Sequence, residues 1–278
     1  MLETKDLTIR FGGHVAVDHV SCAFRPGTLT AIVGPNGAGK TTYFNLISGQ
    51  LRATAGEVLL NGEDITALPA PLRTRRGLGR AFQLTQLFPN LSVRENVRLA
   101  IQARESGRGR GGAFGGLDIF RIWLDRTDWL DEAKAILVQV RLADKAAAHA
   151  SSLPHGDQRK LEVAMLIALD PLVFMFDEPT AGMSVDEVPV ILDLVRALKA
   201  RRDRTILLVE HKMDVVRELA DRIIVLHNGT LVADGDPATV IASPVVQEAY
   251  LGVSAKAAQA EPAEAPQQVQ GGRNGEDV

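Results

Sequence analysis

Cysteine is almost missing from this chain. Cys22 is the single one in 278 residues, so no internal disulfide can form, and the composition fits a reducing compartment. Long apolar runs are missing as well. The stretch nearest to membrane length, Val163 to Phe176, is broken by Asp170-Pro171, so no segment is expected to span a bilayer alone. The first residues, Met1-Leu2-Glu3-Thr4-Lys5-Asp6, lack the basic and apolar regions of a signal peptide. A membrane role is therefore expected to come only through a partner. Strong charge of one sign is absent too. Thirty-one basic residues against 34 acidic ones leave a net charge of −3, which does not advertise nucleic acid or an acidic surface. His14, His19, His149, His155 and His227 show no metal-ligand spacing, so no zinc site is expected.

Apolar residues are plentiful, at 46%, and the length suits one large domain or a core with a subdomain. The chemistry starts at Gly34-Pro35-Asn36-Gly37-Ala38-Gly39-Lys40-Thr41-Thr42. This stretch fits the phosphate-loop template G-x-x-x-x-G-K-S/T without a mismatch. Leu29 to Val33 reads as a buried strand feeding the loop, and Lys40 to Leu46 as a helix leaving it. Such glycines let backbone N–H groups turn toward phosphate oxygens, and the helix N-terminus adds partial positive charge. In this template Lys40 reaches the β- and γ-phosphates, and the Thr41 hydroxyl is placed to hold Mg²⁺.

Taken in order, residues 2 to 25 alternate apolar and polar through Leu7, Ile9, Phe11, Val15 and Val17, which predicts antiparallel strands about Gly12-Gly13. Glu57 to Leu60 reads as a strand entering an Asn61-Gly62 turn. Together these suggest a mixed sheet around the phosphate site. Arg73, Arg75, Arg76 and Arg80 have no interleaved aromatics, so a solvated loop or helix face is expected rather than a nucleic-acid patch. Gly107 to Gly116, with Arg108 and Arg110 inside it, reads as a mobile loop between helices. Trp123 to Val140 keeps a helical spacing of core residues.

From Leu153 onward strands and helices alternate. Helices are expected at 161–169, 188–199 and 213–220, buried strands at 172–176 and 205–209, and a hairpin about Asn228-Gly229. That order implies an α/β fold with a parallel sheet and helices on its faces. Residues 254 to 278 are poor in large apolar side chains and are expected to be disordered.

Two strands deliver polar residues at their C-terminal ends, where ligands of open α/β sheets gather. Leu172 to Phe176 ends in Asp177-Glu178. Asp177 is a natural Mg²⁺ partner, directly or through water, and Glu178 can orient and deprotonate a water aimed at the γ-phosphate. Thr205 to Val209 runs into Glu210-His211, where His211 is placed to sense the γ-phosphate. Gln83, after the strand-like Gly79-Arg80-Ala81, has an amide able to touch Mg²⁺ or the attacking water.

The order of phosphate loop, Gln83, Leu153-Pro154-His155-Gly156-Asp157-Gln158, Phe176-Asp177-Glu178-Pro179 and His211 resembles the nucleotide-binding subunit of an ABC transporter over roughly residues 2 to 252. Phe11 to Val17, Arg80 to Gln83 and Ala181-Gly182-Met183 resemble the branched-chain amino-acid importer branch, whose related cassettes serve urea and short amides. The resemblance implies a P-loop NTPase (RecA-like) core with an antiparallel β subdomain. A helical subdomain at about 88–157 is inserted in a cassette of residues 1–252, with a tail over 253–278. It also implies ATP and Mg²⁺ as cofactors, with Phe11 stacked on adenine. It implies a head-to-tail dimer with a like or unlike second ATP-binding subunit. Each ATP then lies between one phosphate loop and the other chain's signature segment, here Leu153, His155, Gly156 and Asp157. Gly156 is expected to open a helix from Asp157 to Leu169 whose free N–H groups face phosphate.

Membrane permease subunits are the implied direct partners, with the loop after Gln83 against one of them. A substrate-binding protein is an indirect partner, nucleic acid is not one, and the place is the cytoplasmic face of the inner membrane. Three positions depart from the family pattern. Pro154 replaces a serine, Asp157 a glutamine and Ser184 an aspartate. Proline offers no hydroxyl and no N–H, and losing one positioned donor can cost ~10²–10³ in rate. Slow hydrolysis is thus expected unless His155 or backbone groups compensate. Ser184 puts communication between the two ATP sites in question. Other readings compatible with the motifs are a small-molecule P-loop kinase, a low-turnover nucleotide-gated cassette, and a soluble ABC ATPase of DNA repair or translation.

Overall fold

A computed structural model describes residues 1–81, 87–107 and 127–251. Strands β1 (Leu2–Phe11) and β2 (His14–Phe24) form the expected hairpin, with Phe11 opposite His14 at its tip. β3 (Leu29–Val33) leads into the phosphate loop and the helix Lys40–Ser48. β4 (Ala55–Leu60) and β5 (Glu63–Asp64) return to the hairpin, giving a four-stranded antiparallel sheet in the order β2-β1-β4-β5. The expected mixed sheet around the phosphate site is therefore two sheets. β3 belongs to the other one.

That second sheet adds β6 (Leu78–Ala81), β7 (Val173–Asp177), β8 (Thr205–Val209), β9 (Arg222–His227) and β10 (Thr230–Gly235), in the order β10-β9-β3-β8-β7-β6. All its pairings are parallel except β9–β10. β3, β7 and β8 are buried along their whole length, as strands covered on both faces must be, which explains their unbroken apolar runs. Their side chains still alternate between two cores. Phe174, Phe176, Ile206 and Leu208 face the helices Val93–Gly107, Thr127–Gln139 and His155–Leu169. Val173, Met175, Leu207 and Val209 face the antiparallel sheet and Phe44 and Ile47 of the phosphate-loop helix. Each such side chain contributes about 1.5–3 kcal/mol by leaving water, and the two layers hold the C-terminal ends of β3, β7 and β8 side by side.

Three local departures have physical causes. The helix expected from 161, or from Asp157, begins at His155, because Pro154 fixes an extended backbone at the N-cap (φ −56°, ψ 155°) and the polar first turn hides the periodicity. Arg73 does not lie on a solvated face. It is 2% exposed, and its guanidinium donates to the carbonyls of Leu46, Ile47, Thr66 and Leu68 at 2.6–2.9 Å. It thus closes the C-terminal end of the phosphate-loop helix, where bare carbonyls and the helix dipole favour a cation. Burial pulls its pKa down to about 10, so it stays charged at neutral pH. Two helices near the end, Pro237–Ala242 and Pro244–Leu251, carry no strong periodicity. The first is set by Asp236, whose carboxylate accepts from the N–H groups of Ala238 and Thr239. Gln83, most of the glycine-rich run, Trp123 and the tail from 252 lie outside the described residues.

Candidate functional site

The phosphate loop is shaped by two glycines under close backbone approach. Gly34 has φ 151°, and a Cβ there would sit 2.1 Å from the Leu226 carbonyl oxygen. Gly39 has φ 95°, and a Cβ would sit 2.5 Å from the Ala16 oxygen. Only glycine satisfies both the conformation and the space. The loop is thereby pressed between β2 and β9, and the Gly229 N–H donates to the Ala38 carbonyl at 3.1 Å. Asn36, Gly37 and Thr41 are exposed, Pro35 and Thr42 are half-buried, and Ala38 is buried. Lys40 is 5% exposed and donates to the carbonyls of Gly34 (2.7 Å) and Pro35 (2.9 Å). Burial lowers its pKa against the opposing pull of Glu178 and Asp177, which places both carboxylates within electrostatic reach of the loop.

β7 and β8 are neighbours, so their C-terminal residues meet. Glu178 has a left-handed backbone, φ 49°, which is uncommon for a residue with a Cβ. Its N–H donates to the Val209 carbonyl at 2.9 Å, and its Oε1 lies 2.7 Å from His211 Nε2. Half-buried Glu178 and exposed His211 thus form a pair at the sheet edge. Beneath them, Glu210 is buried and accepts from the Thr180 hydroxyl at 2.6 Å. Burial pushes its pKa up.

Asp177 is buried. Its Oδ2 accepts from Arg80 Nη2 at 2.6 Å, while Oδ1 has no hydrogen-bond partner among the described residues. A buried carboxylate oxygen left without a donor costs free energy unless a cation or its water meets it, so the site fits Mg²⁺. Arg80 was expected on a solvated face and is instead nearly buried. The missed signal was its place in the same strand as the approach to Gln83, ending beside β7.

Phe11 is half exposed at the tip of the β1–β2 hairpin, on the sheet whose Ala16 touches the loop. The signature segment lies elsewhere. No hydrogen bond or ion pair among the described residues joins Leu153, His155, Gly156 or Asp157 to the phosphate loop. Leu153 is buried, His155 is exposed beside Gly182, and Gly156 is overlain by the Glu187 carboxylate. The Asp157 carboxylate is buried and turned onto Lys145 Nζ and Lys160 Nζ. Burial pushes its pKa up, but the two lysine hydrogen bonds win and the net shift is downward. Lys160 also reaches Glu187 at 3.1 Å. This four-membered charge cluster was not foreseen, since its residues are up to 42 positions apart (145 to 187).

A phosphate loop, a strand-end carboxylate pair and a facing histidine on a RecA-like parallel sheet, flanked by an antiparallel sheet and helices, define a nucleotide-binding cassette. Residues 17–181 match the family model of the ABC transporter, and residues 230–256 match that of the branched-chain amino acid ATP-binding cassette transporter. The chain therefore belongs to the ABC transporter ATP-binding proteins, in their branched-chain amino acid branch. It is 37% identical over 255 residues to the high-affinity branched-chain amino acid transport ATP-binding protein LivG of Escherichia coli (strain K12), covering 91% of this chain and 98% of LivG. It is 35% identical over 252 residues to BraF of Pseudomonas aeruginosa, with the same coverage. The solved ADP conformation of MJ1267, an ATP-binding cassette of an ABC transporter, superposes with a TM-score of 0.74 at 29% identity, over 91% of this chain and 99% of that one. No helix among the described residues is long and apolar enough to cross a membrane.

Proposed function

We propose that this chain hydrolyses ATP to power import of branched-chain amino acids or related small solutes through separate membrane subunits. The observation that carries the reading is the meeting of Lys40, Asp177, Glu178 and His211 where β3, β7 and β8 end. Catalysis here is positioning and charge stabilisation. Backbone N–H groups of residues 34–42 and the Lys40 ammonium bind the phosphates. Thr41, Asp177 through Oδ1, and Gln83 would hold Mg²⁺, which when bound offsets phosphate charge. Glu178, fixed by Val209 and His211, orients the attacking water and takes its proton at the carboxylate. His211, released from or sharing that bond, donates toward the γ-phosphate.

The signature segment's separation from the loop supports a head-to-tail dimer, in which Leu153, His155, Gly156 and the helix start at 155 face the partner subunit's nucleotide. The burial of Asp157 between lysines supports a signature that presents no bare negative charge to phosphate. Phe11 is proposed to stack on adenine. Residues of the inserted helices and the loop after Gln83 are proposed to face a permease at the cytoplasmic side of the membrane, with a substrate-binding protein reached only through it.

The test is the Glu178→Gln variant. It is expected to bind ATP as the wild type does, to lose turnover by about 10²–10⁴, and to accumulate as a nucleotide-loaded dimer. Wild-type turnover in that variant would remove Glu178 from the role of base.

A further inference from the structure

Arg80 touches both halves of the nucleotide site. Its Nη2 donates to Asp177 Oδ2 at 2.6 Å. Its Nη1 donates to Asn45 Oδ1 (2.6 Å) and Ser48 Oγ (2.9 Å), and lies 3.3 Å from Gln50 Oε1. Asn45 and Ser48 sit on the phosphate-loop helix Lys40–Ser48, which carries Thr41 in its first turn. The guanidinium lies over the Phe44 ring of the same helix, 5.0 Å from its centroid. A buried guanidinium costs much desolvation unless its donors are used in good geometry. Here the planar fork is spent on bridging two elements: a strand-end carboxylate and a helix.

That bridge has a consequence for Asp177. With Oδ2 taken by Arg80, the carboxylate cannot rotate freely, and only Oδ1 is left without a protein donor. The same fork fixes the distance between that oxygen and the helix bearing Thr41. We propose that Arg80 is the positioning residue of the magnesium site: it selects which oxygen of Asp177 meets the metal or its water, and holds that oxygen in register with Thr41. The inference rests on the reading of Asp177 and Thr41 as metal partners given above. Groups that orient metal-binding carboxylates typically change metal affinity by about 10–100-fold when removed. A lysine cannot replace the fork, because one ammonium is a point donor and not a planar pair.

The test separates metal from nucleotide. Affinity for a fluorescent ATP analogue is measured on the full chain with EDTA and then with Mg²⁺, and Mn²⁺ binding to the nucleotide-loaded protein is titrated directly. In Arg80→Met, which keeps a stem over Phe44, the EDTA affinity is expected to be unchanged. The gain conferred by Mg²⁺ and the Mn²⁺ affinity are expected to fall about tenfold or more. Arg80→Lys is expected to recover part of both. Asn45→Ala, which cuts one of the ties to the helix and leaves the Ser48 bond and the ion pair, is expected to give a smaller loss of the same kind. Wild-type metal response in Arg80→Met and Arg80→Lys would overturn the proposal, as would equal losses with EDTA and with Mg²⁺, the mark of a merely structural role. Should Arg80→Met not fold, Arg80→Lys and Asn45→Ala decide on the same readouts. A wild type that binds no nucleotide under any condition would sink the functional reading itself. A wild type that binds it normally beside unaffected variants would sink only the role of Arg80.

Discussion

The phosphate-loop end of the parallel sheet and the start of the His155–Leu169 helix handle charge in opposite ways. At the sheet end, charged groups are left with unused bonding capacity. Lys40 leans on two carbonyls, Asp177 keeps one oxygen unpaired among the described residues, and Glu178 is half-buried against a histidine. At the helix start, Asp157, Lys145, Lys160 and Glu187 saturate one another. What is exposed there is His155, with Gly156 and Asp157 buried behind it. Unsatisfied charge is costly and is retained where a ligand's charge can meet it. A neutralised cluster shapes a surface without competing with phosphate. The difference teaches that the two regions manage charge for different ends, which supports the proposal that the first binds nucleotide and the second faces a partner subunit.

The hardest way to break the first region is Lys40→Ala. Charge-assisted bonds to phosphate are worth about 1.5–3 kcal/mol each, so ATP affinity is expected to fall at least about tenfold to hundredfold, read by equilibrium nucleotide binding. Unaltered affinity would dissolve the contrast. Next in size is Arg73→Met, which strips four carbonyls of a buried donor and is expected to cost about 3 kcal/mol of unfolding free energy in denaturant titration. Because Arg73 touches the far end of the helix and not the loop, ATP affinity of the folded variant should be retained.

The second region is sharpened by acid. The carboxyl of Asp157 lies below its ordinary value when folded. Its contribution to stability is therefore present above the unfolded value of about 3.9 and is lost as pH falls through the folded one. Asp157→Asn is expected to flatten the acid side of a plot of unfolding midpoint against pH. Parallel acid limbs in the two proteins would show that the cluster does not hold Asp157 ionised. The smallest effect is expected from Pro154→Ser. Pro154 is an N-cap without a side-chain bond to the helix, and serine there is worth about 1 kcal/mol. A thermal midpoint below that of the wild type would count against an accessible cap.

Much of this architecture was legible from residues alone. β3, β7 and β8 are short, wholly apolar and bounded by turn residues, and buried parallel strands have little other way to look. The loop was readable because Gly34 and Gly39 are forced by contacts that allow no other side chain. Asp177, Glu178 and His211 were readable because strand ends are where an α/β sheet exposes polar groups. Arg73 and Arg80 were not. An arginine's position in a run of arginines carries no sign of what its guanidinium meets: Arg73 donates to carbonyls 5 to 27 residues away in sequence, and Arg80 to groups 30 to 97 away. The split into two sheets was hidden for a related reason. Local alternation predicts that a strand exists, not which neighbours it takes.

The crowding of Gly34 by Leu226 and the bond from Gly229 to Ala38 tie the earliest motif of the chain to one of its last hairpins. Residues 1–60 carry every letter of the phosphate loop but not the Leu226 and Gly229 backbone that presses those letters into shape. The shape of the phosphate loop is thus a long-range property, supplied by a strand and a turn roughly 190 residues further along the chain.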